Sequence, residues 1–481
     1  MVSDIASTDP QPTRPRGDDL AFAGVARQAE LVRAGEVSAR ELVELHLARI
    51  DRLDGVLHAF RSVAAERALA EADAAQERLR DGDPAPLLGV PIAVKDNVDV
   101  AGETTAHGTS ESGPPARADA EVVRRLRVAG AVVVGRTAMP ELALWPHFTE
   151  SRTGGVTRNP WDPERTPGGS SGGAAAAVAA GLAAGAVGSD GGGSIRVPAA
   201  CCGLFGLKPQ RGRISLMPLA EHWLGLTHLG PLARRVLDAA VLLDALHGPA
   251  PGDADRPPAP AQAFARAAAT APGTLRIAVS TKPAMPTRVA PAIREAVEST
   301  AELLRSLGHE VRERDPDYGV LMPQFLPRYA RGAWEDARTL PSGPRLERRT
   351  RGMVRLGAAM ARPAARVRAA EPARAARIGA IFADHDVVLT PTIAAAPPRA
   401  GRHARAGALG TFLDAGTYAC FTAPWNITGQ PAASVPAGFD ADGLPLAVQL
   451  VVRPGAEATL LALAAQLEQA RPWAARRPSE P

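Results

Sequence analysis

Two serines in glycine frames and one lysine carry the chemical interest of this chain. Ser170 sits in Gly168-Gly169-Ser170-Ser171-Gly172, and Ser194 closes Asp190-Gly191-Gly192-Gly193-Ser194, with an alanine- and glycine-rich run between them. Lys95 ends the apolar run Val90-Pro91-Ile92-Ala93-Val94. Of the chain's 55 basic residues only Lys95, Lys208 and Lys282 are lysine. A sequence so biased towards arginine keeps lysine where arginine will not do, and a buried amine can lose a proton that a guanidinium holds. Two serines and a lysine therefore read as a nucleophile and a proton relay.

Amide cleavage needs a nucleophile, a base, an acid for the departing amine and donors for the oxyanion. Three consecutive glycines permit backbone conformations in which successive N–H groups converge on one point, with Ser194 facing it. For Lys95 to act as a base, its pKa must fall from about 10.4 by roughly three units, about 4 kcal/mol, which desolvation can supply. Other readings of these glycines fail. A phosphate-binding P-loop ends in GK[ST], whereas here the glycines lead into Ser194-Ile195-Arg196. Gly168–Gly172 formally matches a G-x-S-x-G nucleophile elbow, but it follows the loop Asn159–Pro167 and not an apolar strand. His403, in an arginine-rich loop, is expected in solvent and not in a triad.

Composition sets the bounds. The 481 residues are 46% hydrophobic, ample for a large core, and the net charge of +4 is too small and diffuse to mark a nucleic-acid face. Cys201, Cys202 and Cys420 make neither a disulfide framework nor a metal-ligand spacing, which points to a reducing, cytoplasmic setting. The first 18 residues have no apolar core of a signal peptide and read as a disordered lead. The uncharged run Gly172–Ser189 is too poor in leucine and isoleucine for a membrane span and reads as a long buried helix.

The elements that must position these residues alternate. The N-terminal part, about 19–80, is helical: Ser38 and Glu41 form a capping box ahead of a helix over Leu42–Leu53, and a second helix spans Ala64–Leu79. Strand-like runs follow at Pro91–Val94, Ala131–Val134, Leu275–Val279, Asp386–Leu389, Ala432–Val435 and Leu446–Val451. Helices are expected at Ala120–Ala129, Leu232–Leu246, Ala290–Leu307 and Ala456–Gln469. Interleaved apolar strands and helices define an α/β fold, a central mixed sheet with helices on both faces. Pro249–Pro260 reads as a surface loop, and Arg345–Arg377 as a solvated helical layer.

Together these segments resemble the amidase signature family. Pro167–Pro209 is similar to its defining block and GVPIAVKDNVDVAG to its lysine segment. Arg158-Asn159-Pro160-Trp161, Gly230–Arg234, Leu389–Thr392 and Asn426–Pro431 extend the likeness over about residues 20–470. The resemblance implies one large domain over 19–475 and a Ser–cisSer–Lys triad. Ser194 would be the nucleophile, Ser170 the bridging serine after a cis peptide and Lys95 the base. The N–H groups of Gly191, Gly192, Gly193 and Ser194 would form the oxyanion hole. Asp190 and Arg196 would brace the loop by ion pairing, and Ser171 would help to hold Lys95 or serve only the loop.

No metal or organic cofactor is implied. The expected partner is a small amide, with no nucleic acid and no membrane, and a homodimer is left open. A glutaminase subunit of a tRNA-dependent amidotransferase is the alternative within the family, weakened because Ala419 stands where that subunit carries an acidic residue. A non-catalytic binding protein on the same fold is the alternative outside it. Trp145, His147, Trp223, Trp334 and Trp425 lie near the motifs. Several of them lining the acyl pocket would imply an apolar or aryl acyl group.

Overall fold

A computed structural model describes residues 17–110, 113–341 and 345–480. Its centre is an eleven-stranded mixed sheet. In chain order its strands are β1 (Phe60–Val63), β2 (Pro91–Lys95) and β3 (Val132–Thr137). A separate two-stranded ribbon, β4 (Glu150–Ser151) and β5 (Gly155–Val156), comes next. The main sheet resumes with β6 (Gly185–Asp190), β7 (Phe205–Lys208), β8 (His228–Ala233), β9 (Arg276–Val279), β10 (Glu310–Glu313), β11 (Val387–Pro391), β12 (Ala432–Phe439) and β13 (Pro445–Val452). Across the sheet the order is β1-β3-β2-β6-β8-β7-β12-β13-β11-β9-β10. The contacts β3/β2/β6 and β11/β9/β10 are parallel and the rest antiparallel.

Strand residues alternate between two cores. Ile92, Val94, Val133 and Val187 face helices Glu121–Val128, Val236–Leu246 and Glu457–Ala470, whereas Ala93, Val132, Val134 and Ala186 face helices Ala39–Leu57, Ala65–Arg80 and Arg196–Cys202. Burial on both faces is why these strands read as near-continuous apolar runs. The capping box is present: Glu41 N–H donates to Ser38 Oγ, and Ser38 N–H to Glu41 Oε2. Its helix is longer than expected, Ala39–Leu57, and the helical N-terminal part also contributes edge strand β1. The expected disordered lead lies outside the described residues up to 16, and Asp18 already opens a short helix, Asp18–Ala21.

Two expectations need correction. The run Gly172–Ser189 is not one helix. The helix Gly172–Ala179 stops at Gly181, whose φ of +69° is left-handed, and the chain re-enters the sheet as β6. Likewise Leu232 and Ala233 end strand β8, and their helix begins only at Val236. Small residues suit β6 because it lies under close cover: a Cβ on Gly188 would come within 2.7 Å of Leu232 and 2.9 Å of Ser171 Oγ. Pro249–Pro260 is a loop, and the arginine-rich stretch forms three helices with a solvated outer face, from which buried Arg349 departs. Among the described residues no helix is long and apolar enough to cross a membrane.

Gly181 is the hinge between helix and strand, and a Cβ there would meet the Phe22 ring at 3.0 Å. Gly181→Ala is expected to lower unfolding free energy by about 1–2 kcal/mol, read as a fall in the urea midpoint with unchanged slope.

Candidate active site

Strands β2 and β6 run parallel, with Val94 beside Val187, so their carboxyl ends bring Lys95 next to Ser189 and Asp190. This end of a parallel pair is where open α/β sheets hold ligands. Lys95 is fully buried, and its Nζ donates to Ser170 Oγ at 2.7 Å and to Ser189 Oγ at 2.9 Å. Burial pulls its pKa down to about 7, with Asp190 opposing. Ser170 precedes helix Gly172–Ala179, and its peptide bond to Gly169 is cis. Ser171 N–H donates to the Ser194 carbonyl at 3.2 Å, which joins the two serine segments.

Ser189 is the residue that the sequence reading missed. It takes the part considered for Ser171, whose hydroxyl instead donates to the Ser189 carbonyl and accepts from the Ser189 N–H. Asn97 also donates to Ser189 Oγ, at 3.0 Å. The signal was available: reading Gly181 as a helix stop would have placed Ser189 on a strand beside Lys95.

The glycine loop is shaped from beneath by Asp190 and Arg196, both with no exposed side-chain surface. The guanidinium meets both carboxylate oxygens at 3.0 Å. Its remaining N–H groups go to the Thr422 carbonyl (2.9 Å), Gln449 Oε1 (2.8 Å) and Asn426 Oδ1 (2.6 Å). All five guanidinium donors are thus engaged. Burial alone would raise the Asp190 pKa, but the Arg196 charge, its hydrogen bonds and Asn426 hold it well below the usual carboxylate range. Asn426 Nδ2 donates to the Asp190 carbonyl and to Oδ1, both at 2.8 Å, which gives that late motif its place in the site.

Asp190 Oδ1 also accepts the Gly193 N–H at 2.6 Å. This corrects the expected oxyanion set: the Gly193 N–H points down into the carboxylate, leaving Gly191, Gly192 and Ser194 as candidate donors. Gly193 itself is required by geometry, with φ of +128° and Thr422 Oγ1 only 2.4 Å from where a Cβ would sit.

Ser194 opens into an apolar pocket with Trp223, Met285, Met322, Phe325, Tyr329 and Phe412 among its walls, and none of its described lining residues carries a charge. Of the five aromatic or imidazole residues singled out in the sequence, only Trp223 lines it. Trp145 and Trp425 are core, and Trp334 packs between Arg331 and Arg338. His147 lies behind the pocket wall, and His403 stacks on Phe148 and is buried, not solvated. Phe325 and Tyr329, on helix Met322–Thr339, carried no motif that would have marked them. The second rare lysine, Lys208, is also fully buried, and it donates to the Gln430 carbonyl at 2.5 Å.

A buried amine against a serine hydroxyl, beside a second serine on a glycine loop, is the equipment of an amide-hydrolysing enzyme. Residues 41–461 match the amidase family, and the chain belongs to it. It is 55% identical over 465 residues to the Mycobacterium tuberculosis protein named "Putative amidase AmiB2", covering 96% of this chain and 99% of that one. The 6-aminohexanoate-cyclic-dimer hydrolase of Paenarthrobacter ureafaciens is 36% identical, covering 94% of this chain and 95% of that one. A solved structure of a 6-aminohexanoate cyclic dimer hydrolase superposes with a TM-score of 0.87 at 32% identity, over 95% of this chain and 99% of that one. A glutamyl-tRNA(Gln) amidotransferase component from a Synechococcus species is 38% identical, over 94% of this chain and 98% of that protein. The chain is an amidase, hydrolysing amide C–N bonds.

Arg196→Met would leave Asp190 charged, buried and unpaired. A loss of about 3–5 kcal/mol is expected in guanidinium unfolding, and Arg196→Lys should recover little of it because an ammonium cannot serve five directions.

Proposed function

We propose that this amidase hydrolyses small amides with an apolar or aryl acyl group through an acyl-enzyme on Ser194. The observation that carries the substrate class is the uncharged, aromatic-walled pocket at Ser194. In the proposed cycle neutral Lys95 accepts the Ser170 proton as Ser170 takes that of Ser194, whose Oγ attacks the carbonyl carbon. The N–H groups of Gly191, Gly192 and Ser194 are the proposed oxyanion donors. Collapse of the tetrahedral intermediate breaks the C–N bond, and the relay returns the proton to the leaving nitrogen. Water then enters by the same base route and releases the acid. Lys95 supports this role because Ser170 lies at 2.7 Å and burial brings the amine close to neutrality.

The amidotransferase reading has the Synechococcus relative in its favour. Against it, Ala419 lines the pocket where a glutamine ammonium would need a carboxylate, and an unpaired charge is costly to bury. We keep the cytoplasm as the proposed setting, on three free and buried cysteines.

Three outcomes follow from this reading. Ser194→Ala, Ser170→Ala and Lys95→Met should each lower kcat/KM at least about 1,000-fold with the fold intact by circular dichroism, measured by mass spectrometry of released acid. The pH profile of kcat/KM should rise through an apparent pKa of about 7. Below that value Lys95 is protonated, so the rate should fall about tenfold per unit; a flat profile from pH 6 to 8 would count against Lys95 as the base. Along acetamide, propionamide, butyramide and hexanamide, kcat/KM should grow about fourfold per methylene, from about 0.8 kcal/mol each, while glutamine is left intact. Turnover confined to glutamine would reverse the choice.

A further inference from the structure

A second cluster of ligating side chains lies behind the pocket wall. His147 Nε2 and His403 Nε2 approach Asp414 Oδ2 at 3.8 and 2.6 Å, and one ligand atom from each of the three lies within 4.8 Å of the others. His147 is 1% exposed, and among the described residues neither of its ring nitrogens has a hydrogen-bond partner. Its ring meets that of His403 edge-on, with centroids 4.5 Å apart. An imidazole buried with both nitrogens unpaired calls for a partner that the described residues do not supply.

Three donors, two imidazole nitrogens and one carboxylate oxygen, suit a borderline divalent ion. Zinc binds such atoms at about 2.0–2.2 Å, so tetrahedral ligands stand about 3.3 Å apart. The two separations from Asp414, 3.8 and 2.6 Å, bracket that spacing, and with all three donor atoms within 4.8 Å of one another the side chains would have to draw in around an ion. Asp414 is partly exposed and borders a surface hollow shared with Arg402 and Thr417, which gives an ion a way in and water a fourth position. Two cations stand nearby. Arg349 is held by Glu150 at 2.7 Å and Glu347 at 2.6 Å, and exposed Arg402 lines the same hollow. Both positive charges act on His147, and Asp414 is the anion that offsets them for an incoming ion.

We propose that His147, His403 and Asp414 form a binding site for one divalent transition-metal ion, with zinc the best fit. The ion would join elements that flank the active site. Next to His147, the Pro146 carbonyl accepts the Gly169 N–H at 2.9 Å, and Asp414 shares helix Ala408–Tyr418 with the pocket residues Phe412 and Ala415. Occupancy therefore clamps the pocket wall to the segment behind Ser170, a structural effect with no part in the proton relay.

The test is calorimetric titration of chelator-treated full-length protein with Zn²⁺ alone, repeated with Co²⁺ while recording visible absorption. One ion per chain, a higher melting temperature on binding and a cobalt band typical of four-coordinate N/O ligation are expected. Asp414→Asn, at a partly exposed position, and His403→Gln should each weaken Zn²⁺ binding at least about 100-fold. Zinc affinity in Asp414→Asn within threefold of the parent protein, or no binding by the parent at millimolar zinc, overturns the site.

Discussion

The buried pair between Asp190 and Arg196 is the constraint on which the rest of the site hangs. Neither charge touches water, and each is tolerable only because the other is present and every remaining donor is matched. The carboxylate draws in the Gly193 and Ile195 N–H groups, and the guanidinium collects Thr422, Asn426 and Gln449. The loop above the pair is therefore shaped by charges beneath it. Hydrogen bonds to buried ions are strong and directional, so they fix the backbone bearing Ser194 more firmly than loop packing alone could.

Lys95 is governed by the opposite logic. It sits at the end of a fully buried strand and meets two hydroxyls where Arg196 meets a carboxylate. Desolvation is left largely uncompensated, which is what makes an amine able to shed its proton near neutrality. Two buried basic groups beside the same loop thus have different fates, because Asp190 pairs directly with Arg196 whereas its charge only partly offsets the desolvation of Lys95. The separation matches the proposed roles, one holding geometry and one moving protons.

Much of this was legible in the sequence, for identifiable reasons. Pro91–Lys95, Arg276–Val279 and Val387–Pro391 are short apolar runs bounded by polar or turn residues, and Ser38 with Glu41 announces its helix through side-chain chemistry alone. Gly172–Asp190 was not legible, because alanine and glycine carry no β preference and only the neighbours β2 and β8 make its second half a strand. The charge partnership of Asp190 and Arg196, six residues apart, could be expected from the resemblance, but the downward turn of the Gly193 N–H could not. Phe325, Tyr329 and Phe412 meet Ser194 only through tertiary structure. His403 looked solvated from its arginine-rich neighbours, and only the fold reveals Phe148 and Asp414 against it.

The span of the Arg196 network has a consequence for biosynthesis. Arg196 is complete only when it reaches Asn426 and Gln449, which lie 230 and 253 residues further along the chain. While the ribosome is still making the second half, the nascent chain already holds Lys95, Ser170 and Ser194 but lacks the partners that settle the loop. Helix Met322–Thr339 and its pocket aromatics also arrive late. A prematurely terminated chain would therefore carry Lys95, Ser170 and Ser194 without the hydrogen bonds that complete the buried pair beneath the loop.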